Sequence, residues 1–235
     1  MHPLLTRLRA ELAARGNPRN RDGAKRFFKE GIESYGLRMA DTRALAKAYA
    51  RELSGQGKES VFVLCEDLWR SGMMEEGHIA AAWALTQKKH FATDDLGTFT
   101  HWIDAHVHNW AHCDDFCNNV LGAYLMKFPE QLPVLREWAV SKNRWVRRAA
   151  AVSLIVPARK GAFLEESLAI AGALLTDPDD LVQKGYGWLL KEQCKMNEDA
   201  VFAFVCRHKA RMPRTALRYA IEKMPEARKR EAMAR

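Results

Sequence analysis

The 235-residue sequence has almost no strand signature. Its Val, Ile and Thr residues do not alternate with polar ones, and its 14 Gly and 8 Pro fall at intervals that suit helix ends. No apolar run approaches the roughly 18 residues that a spanning helix needs, so a membrane is not the expected setting. The amino end, MHPLLTRLRAELAARG, is too charged for a signal-peptide core. Only five cysteines are present (Cys65, Cys113, Cys117, Cys194 and Cys206), odd in number and scattered, which reads as reduced thiols in a cytoplasmic protein rather than a disulfide framework. No linker or low-complexity segment divides the chain, and a single domain over 1–235 is expected.

What is present is helix, apolar content and positive charge. Apolar residues make up 48% of the chain, which excludes a disordered polyelectrolyte. Lys and Arg number 37 against 29 Asp and Glu, a net charge of +8 that favours a polyanionic partner, nucleic acid ahead of a membrane surface. Helical stretches follow start signals at Asp41, Ser141 and Asp177-Pro178, and twelve to fourteen helices are expected.

Five decapeptides repeat along the chain: EGHIAAAWAL from Glu76, WAHCDDFCNN from Trp110, WVRRAAAVSL from Trp145, LVQKGYGWLL from Leu181 and MPRTALRYAI from Met212. Their starts lie 34, 35, 36 and 31 residues apart, room for two helices and two turns each. The fifth position is small in four of them (Ala80, Ala149, Gly185, Ala216) and is Asp114 in the other. The period predicts an all-α, right-handed superhelical α-solenoid of HEAT-like helical hairpins. Positions one, four, five and eight of such a frame share a helix face. That places Trp110 with Asp114, Trp145 with Arg148, and Lys184 with Trp188, and predicts that a carboxylate, a guanidinium and two indoles meet in a basic groove.

His106, His108, His112, Cys113 and Cys117 include zinc-friendly spacings, but neighbours such as His112 and Cys113 diverge by about 100° on a helix. These residues are read as surface and packing positions, and no metal is assigned. Trp83, Trp102, Trp138 and Trp145 read as core.

The runs Trp110-Ala-His-Cys-Asp114, Arg144-Trp-Val-Arg-Arg148 and Gln183-Lys-Gly-Tyr-Gly-Trp188-Leu-Leu-Lys-Glu192 resemble the AlkD-type DNA alkylation repair glycosylases. Asn17-Pro18, Arg26-Phe27-Phe28-Lys29, Gly36-Leu-Arg-Met-Ala-Asp-Thr-Arg43 with Lys47, and Asp67-Leu-Trp69 extend the resemblance over essentially the whole chain. It implies a monomeric DNA glycosylase, cytoplasmic and nucleoid-associated. Such an enzyme removes positively charged N3- and N7-alkylated purines from double-stranded DNA without a metal or cofactor. It also implies that Asp114 stands where the family has its catalytic carboxylate, Trp110 and Trp188 where it has cleft indoles, and Arg148 where it has a cleft arginine. Phe27 falls where some members carry Tyr. Phe27, Arg43, Lys47, Lys184 and Lys191 are expected to contact DNA. Two other readings stay open: a non-catalytic HEAT-type scaffold on damaged or branched DNA, and a protein-binding solenoid.

Overall fold

A computed structural model describes residues 2–234, and among them the secondary structure is helical apart from one isolated bridge between Glu33 and Met73. The chain divides into two compact units, with the boundary between Phe116 and Cys117.

The first unit contains α1 (Pro3–Ala14), α2 (Pro18–Phe27), α3 (Met39–Ala50), α4 (Lys58–Trp69), α5 (Met74–Thr86), α6 (Asp95–His106) and α7 (Trp110–Phe116). Pro3 opens α1, and the helix buries Leu4, Leu5, Leu8 and Leu12, a stripe at helical spacing. In α3 the buried set is Thr42, Leu45, Ala46 and Tyr49, again one face. Helix α5 is the hub: it packs against α3, α4 and α7, while α4 packs against α6. Gly77 permits the α5–α7 approach, because a Cβ there would lie 2.5 Å from the His112 ring. Helix α2 is the exception, since none of its side chains is buried. It is held at its amino end, by the Asn17 side chain accepting from the Asn20 N–H and by Pro18 in the first turn.

The second unit contains a π-helical turn (Cys117–Leu121), α8 (Gly122–Lys127), α9 (Val134–Trp138), α10 (Arg144–Val152), α11 (Ile155–Ala158), α12 (Leu164–Ala173), α13 (Asp180–Cys194), α14 (Glu198–His208), α15 (Arg214–Ile221) and α16 (Glu226–Met233). Here α13 is the hub, flanked by α10 and α15 and covered by α12 and α14. Each unit is thus a stack of helical hairpins, the architecture of an α-solenoid.

The small fifth position of the repeat has a structural cause. Ala80, Ala149 and Ala216 are fully buried where helices abut, and a Cβ on Gly185 would touch Arg148 at 3.4 Å. At Gly187 the approach is closer still, with Tyr219 Cβ and the Ala216 carbonyl both within 3 Å of the Cβ position. Trp83, Trp102, Trp138 and Trp145 lie in the cores. No helix among the described residues is long and apolar enough to cross a membrane.

Candidate functional site

Trp110 is the first residue of α7, and Asp114 follows one turn later on the same face; both are half-buried. The indole is fixed by aromatic packing. Phe28 stacks on it at 5.1 Å between centroids, nearly parallel, and Phe27 meets it edge-on at 5.9 Å. Phe27 itself is 68% exposed, unusual for a large apolar side chain and consistent with a contact surface.

The segment carrying these phenylalanines is latched by Glu75 of α5. This buried carboxylate accepts hydrogen bonds from the Ser34 hydroxyl and from the N–H groups of Tyr35, Gly36 and Leu37, all at 2.8–3.0 Å. Gly36 has φ +89°, and a Cβ there would meet the Asn17 carbonyl at 2.2 Å, so only glycine fits. Next to this latch, Glu76 holds Arg9 at 2.8 Å and the Tyr35 hydroxyl at 2.7 Å. Neither glutamate was singled out from the sequence.

The other face of α7 carries two polar groupings. Buried His112 donates from Nε2 to the Met74 carbonyl at 2.8 Å and accepts at Nδ1 from Asn109 at 3.1 Å, which defines a neutral ring. Burial, reinforced by nearby His78, holds its pKa down to about 3. His78 Nδ1 is 2.6 Å from Asp115 Oδ2. Burial alone would raise the Asp115 carboxyl, but the hydrogen bond and charge of His78, with Arg43 and His112, bring it below the ordinary range. Asp115 is therefore tied into the scaffold beside Asp114.

Several basic side chains stand exposed on α2 and α3. Among the described residues no carboxylate pairs with Arg19 or Arg26 of α2, with Lys29, or with Lys47 of α3. Arg43 and Lys47 stand one turn apart on α3, both exposed. Phe27 and Trp110 come together, and Arg43 reaches the field of Asp115.

In the second unit Trp188 is half-buried on α13. Its indole N–H donates to Glu192 at 3.1 Å, and the Arg159 guanidinium lies 5.9 Å from its ring. Glu192 is buried, which alone would raise its pKa. Hydrogen bonds from Lys195, Arg159 and Trp188 instead bring it down to about 2. On α10, Trp145 is buried as expected of a core residue, and Arg148, Ala149 and Val152 are buried with it. Arg148 lies against Gly185, where the missing side chain makes room, and its Nη1 donates to the Leu181 carbonyl. Lys184 pairs with Asp180 at 2.9 Å, and Lys191 with Glu222 at 3.0 Å. Two of the three lysines expected to contact DNA thus already have acidic partners.

The family model described as DNA alkylation repair enzyme matches residues 8–224. No curated protein matches the sequence. A solved structure described as a predicted DNA alkylation repair enzyme from Enterococcus faecalis superposes with a TM-score of 0.81 at 18% identity, over 90% of this chain and 97% of that one, which shows a shared fold. The match of the family model over most of the sequence, on an all-helical fold of this kind, means that the chain belongs to the DNA alkylation repair enzyme family, and its role lies in repairing alkylation damage.

Proposed function

We propose that this protein is a DNA N-glycosylase that hydrolyses the bond between deoxyribose and a positively charged N3- or N7-alkylated purine in duplex DNA. The observation that carries the reading is the pair Trp110 and Asp114, one turn apart on α7, with the exposed Phe27 packed against the Trp110 indole. A cationic purine leaves readily and takes the electron pair of the C–N bond as a neutral base, so no strong general acid is required. The sugar left behind has oxocarbenium character. Asp114 stabilises that charge and orients the water that adds to C1′, whose proton is then released. The indole faces attract cationic groups by about 0.5–2 kcal/mol each.

Trp110 and Trp188 are assigned to hold the lesion, and Arg148 to supply fixed positive charge toward the DNA backbone. Arg19, Arg26, Arg43 and Lys47 supply the salt-sensitive, sequence-independent part of binding. Lys184 and Lys191 contribute only by exchanging their carboxylates for phosphates. The protein works as a monomer, with 1–235 acting as one domain, on chromosomal DNA in the cytoplasm.

Incubation with N-methylated duplex DNA, followed by analysis of the released bases, tests the reading. Liberated 7-methylguanine or 3-methyladenine supports it. Tight, salt-dependent binding without release would instead identify a DNA-binding scaffold.

A further inference from the structure

Away from the Trp110 face, α4 and α6 bring together Glu66, His101 and His106. Glu66 Oε1 lies 3.0 Å from His106 Nε2 and 3.5 Å from His101 Nε2. The two imidazoles are 5.3 Å apart and nearly perpendicular, so both point a ring nitrogen at the same oxygen. Among the described residues this is the one grouping of three His, Cys, Asp or Glu whose ligand atoms all lie within 4.8 Å of each other.

We infer that Glu66, His101 and His106 form a binding site for a borderline divalent transition-metal ion of the zinc type, separate from the DNA-repair site. A tetrahedral ion bound at about 2.0–2.2 Å to imidazole nitrogen and carboxylate oxygen needs ligand atoms about 3.4 Å apart, close to the separations seen. Two imidazoles and one carboxylate suit zinc, nickel or copper rather than magnesium or calcium. The half-exposed His101 leaves the fourth position open to water.

Two further observations point to a cation. The other oxygen of Glu66 accepts from the indole N–H of fully buried Trp102 at 2.6 Å, the outer-shell support that orients ligating carboxylates. The site also opens on a cleft of about 730 Å³ whose wall carries Glu59, Glu66, Asp67, Asp94 and Asp95 against only Lys58 and Arg70. In a chain of net charge +8, this is a local excess of negative charge.

Arg70 makes the proposal sharp. Its Nε sits 2.9 Å from the same Oε1, on a side chain that is 64% exposed and can swing aside. It holds the carboxylate oxygen that an incoming ion would share with the two imidazoles, so it competes with the metal. Removing a ligand and removing this arginine therefore have opposite effects on affinity.

The test is calorimetric titration of the chelator-treated full-length protein with Zn²⁺, repeated for His101→Gln and Arg70→Ala, with Co²⁺ absorption to read the ligand set. Expected are one Zn²⁺ per chain, affinity at least about tenfold weaker in His101→Gln, tighter binding in Arg70→Ala, and a four-coordinate Co²⁺ spectrum without thiolate charge transfer. Because His101 is exposed and buries no core surface, the variant keeps its fold, and unaltered circular dichroism verifies this. Absence of Zn²⁺ binding, equal affinity in His101→Gln, weaker binding in Arg70→Ala, or a thiolate band from the cysteines would each overturn the inference.

Discussion

The two half-buried indoles assigned to the lesion are held by different physics. Trp110 is clamped by rings, stacked on Phe28 and edged by Phe27, so dispersion and ring quadrupoles set its orientation. Trp188 is fixed by a buried carboxylate that also gathers Arg159 and Lys195. An aromatic clamp is indifferent to salt and pH, and it fails when its shape is lost. An ionic clamp fails when its charge is lost, and Glu192, with its pKa near 2, keeps that charge through the physiological range. One surface thus relies on packing and the other on electrostatics.

Several experiments break or sharpen this contrast. The largest effect is expected from Asp114→Asn, a near-isosteric change that removes the carboxylate charge. Release of 7-methylguanine should fall on the order of 10²–10³-fold, with DNA affinity retained in a binding assay. Next come the two clamps. Phe28→Ala should cost about 3 kcal/mol of stability in chemical denaturation and lower lesion release with it. Glu192→Gln should leave stability less affected, by about 1–3 kcal/mol, yet impair release through Trp188. Equal responses of Trp188 fluorescence quenching in the two variants would erase the distinction.

Buried His112 on α7 gives a pH signature. The unfolded chain protonates His112 near its ordinary 6.5, whereas the folded protein resists down to about 3. Stability is therefore full above that window and falls as pH drops through it, by up to about 1.4 kcal/mol per pH unit. Asp115, also held low, adds its loss only in the more acidic carboxylate range. Acid titration of the unfolding free energy should show this slope, and His112→Gln should flatten its upper part. The smallest expected effect is electrostatic: Arg26→Ala and Lys47→Ala should each lower the salt slope of DNA binding by about one and leave stability unchanged.

Helix identity was legible from periodicity, but helix starts were displaced. The structure opens α10 at Asn143 rather than Ser141 and α13 at Asp179 rather than Asp177. In both cases two polar residues stand two apart, and the outer one accepts from the N–H of the inner, leaving the inner to cap the helix. Asp41 is likewise inside the first turn of α3, where an acid favours the helix dipole without capping it. The Trp110–Asp114 pair was readable because it is local, one turn of one helix. Phe28 over Trp110, Glu75 under the α2–α3 segment and Glu192 under Trp188 were not singled out. Only the last of these lies within one helix, and there a glutamate four residues on looks like any surface pair. Arg148, expected to share a face with Trp145, is buried on α10, because phase tells which residues share a face and not what covers it.

Helix α2 contributes nothing to a core and is anchored through its ends, by Asn17 before it and the Glu75 latch after it. Its solvent-facing residues can therefore be exchanged in blocks while the scaffold stays untouched. A library randomised over Arg19, Arg21, Lys25 and Arg26 could retune DNA affinity or lesion preference without the losses of folding yield that usually accompany active-surface engineering.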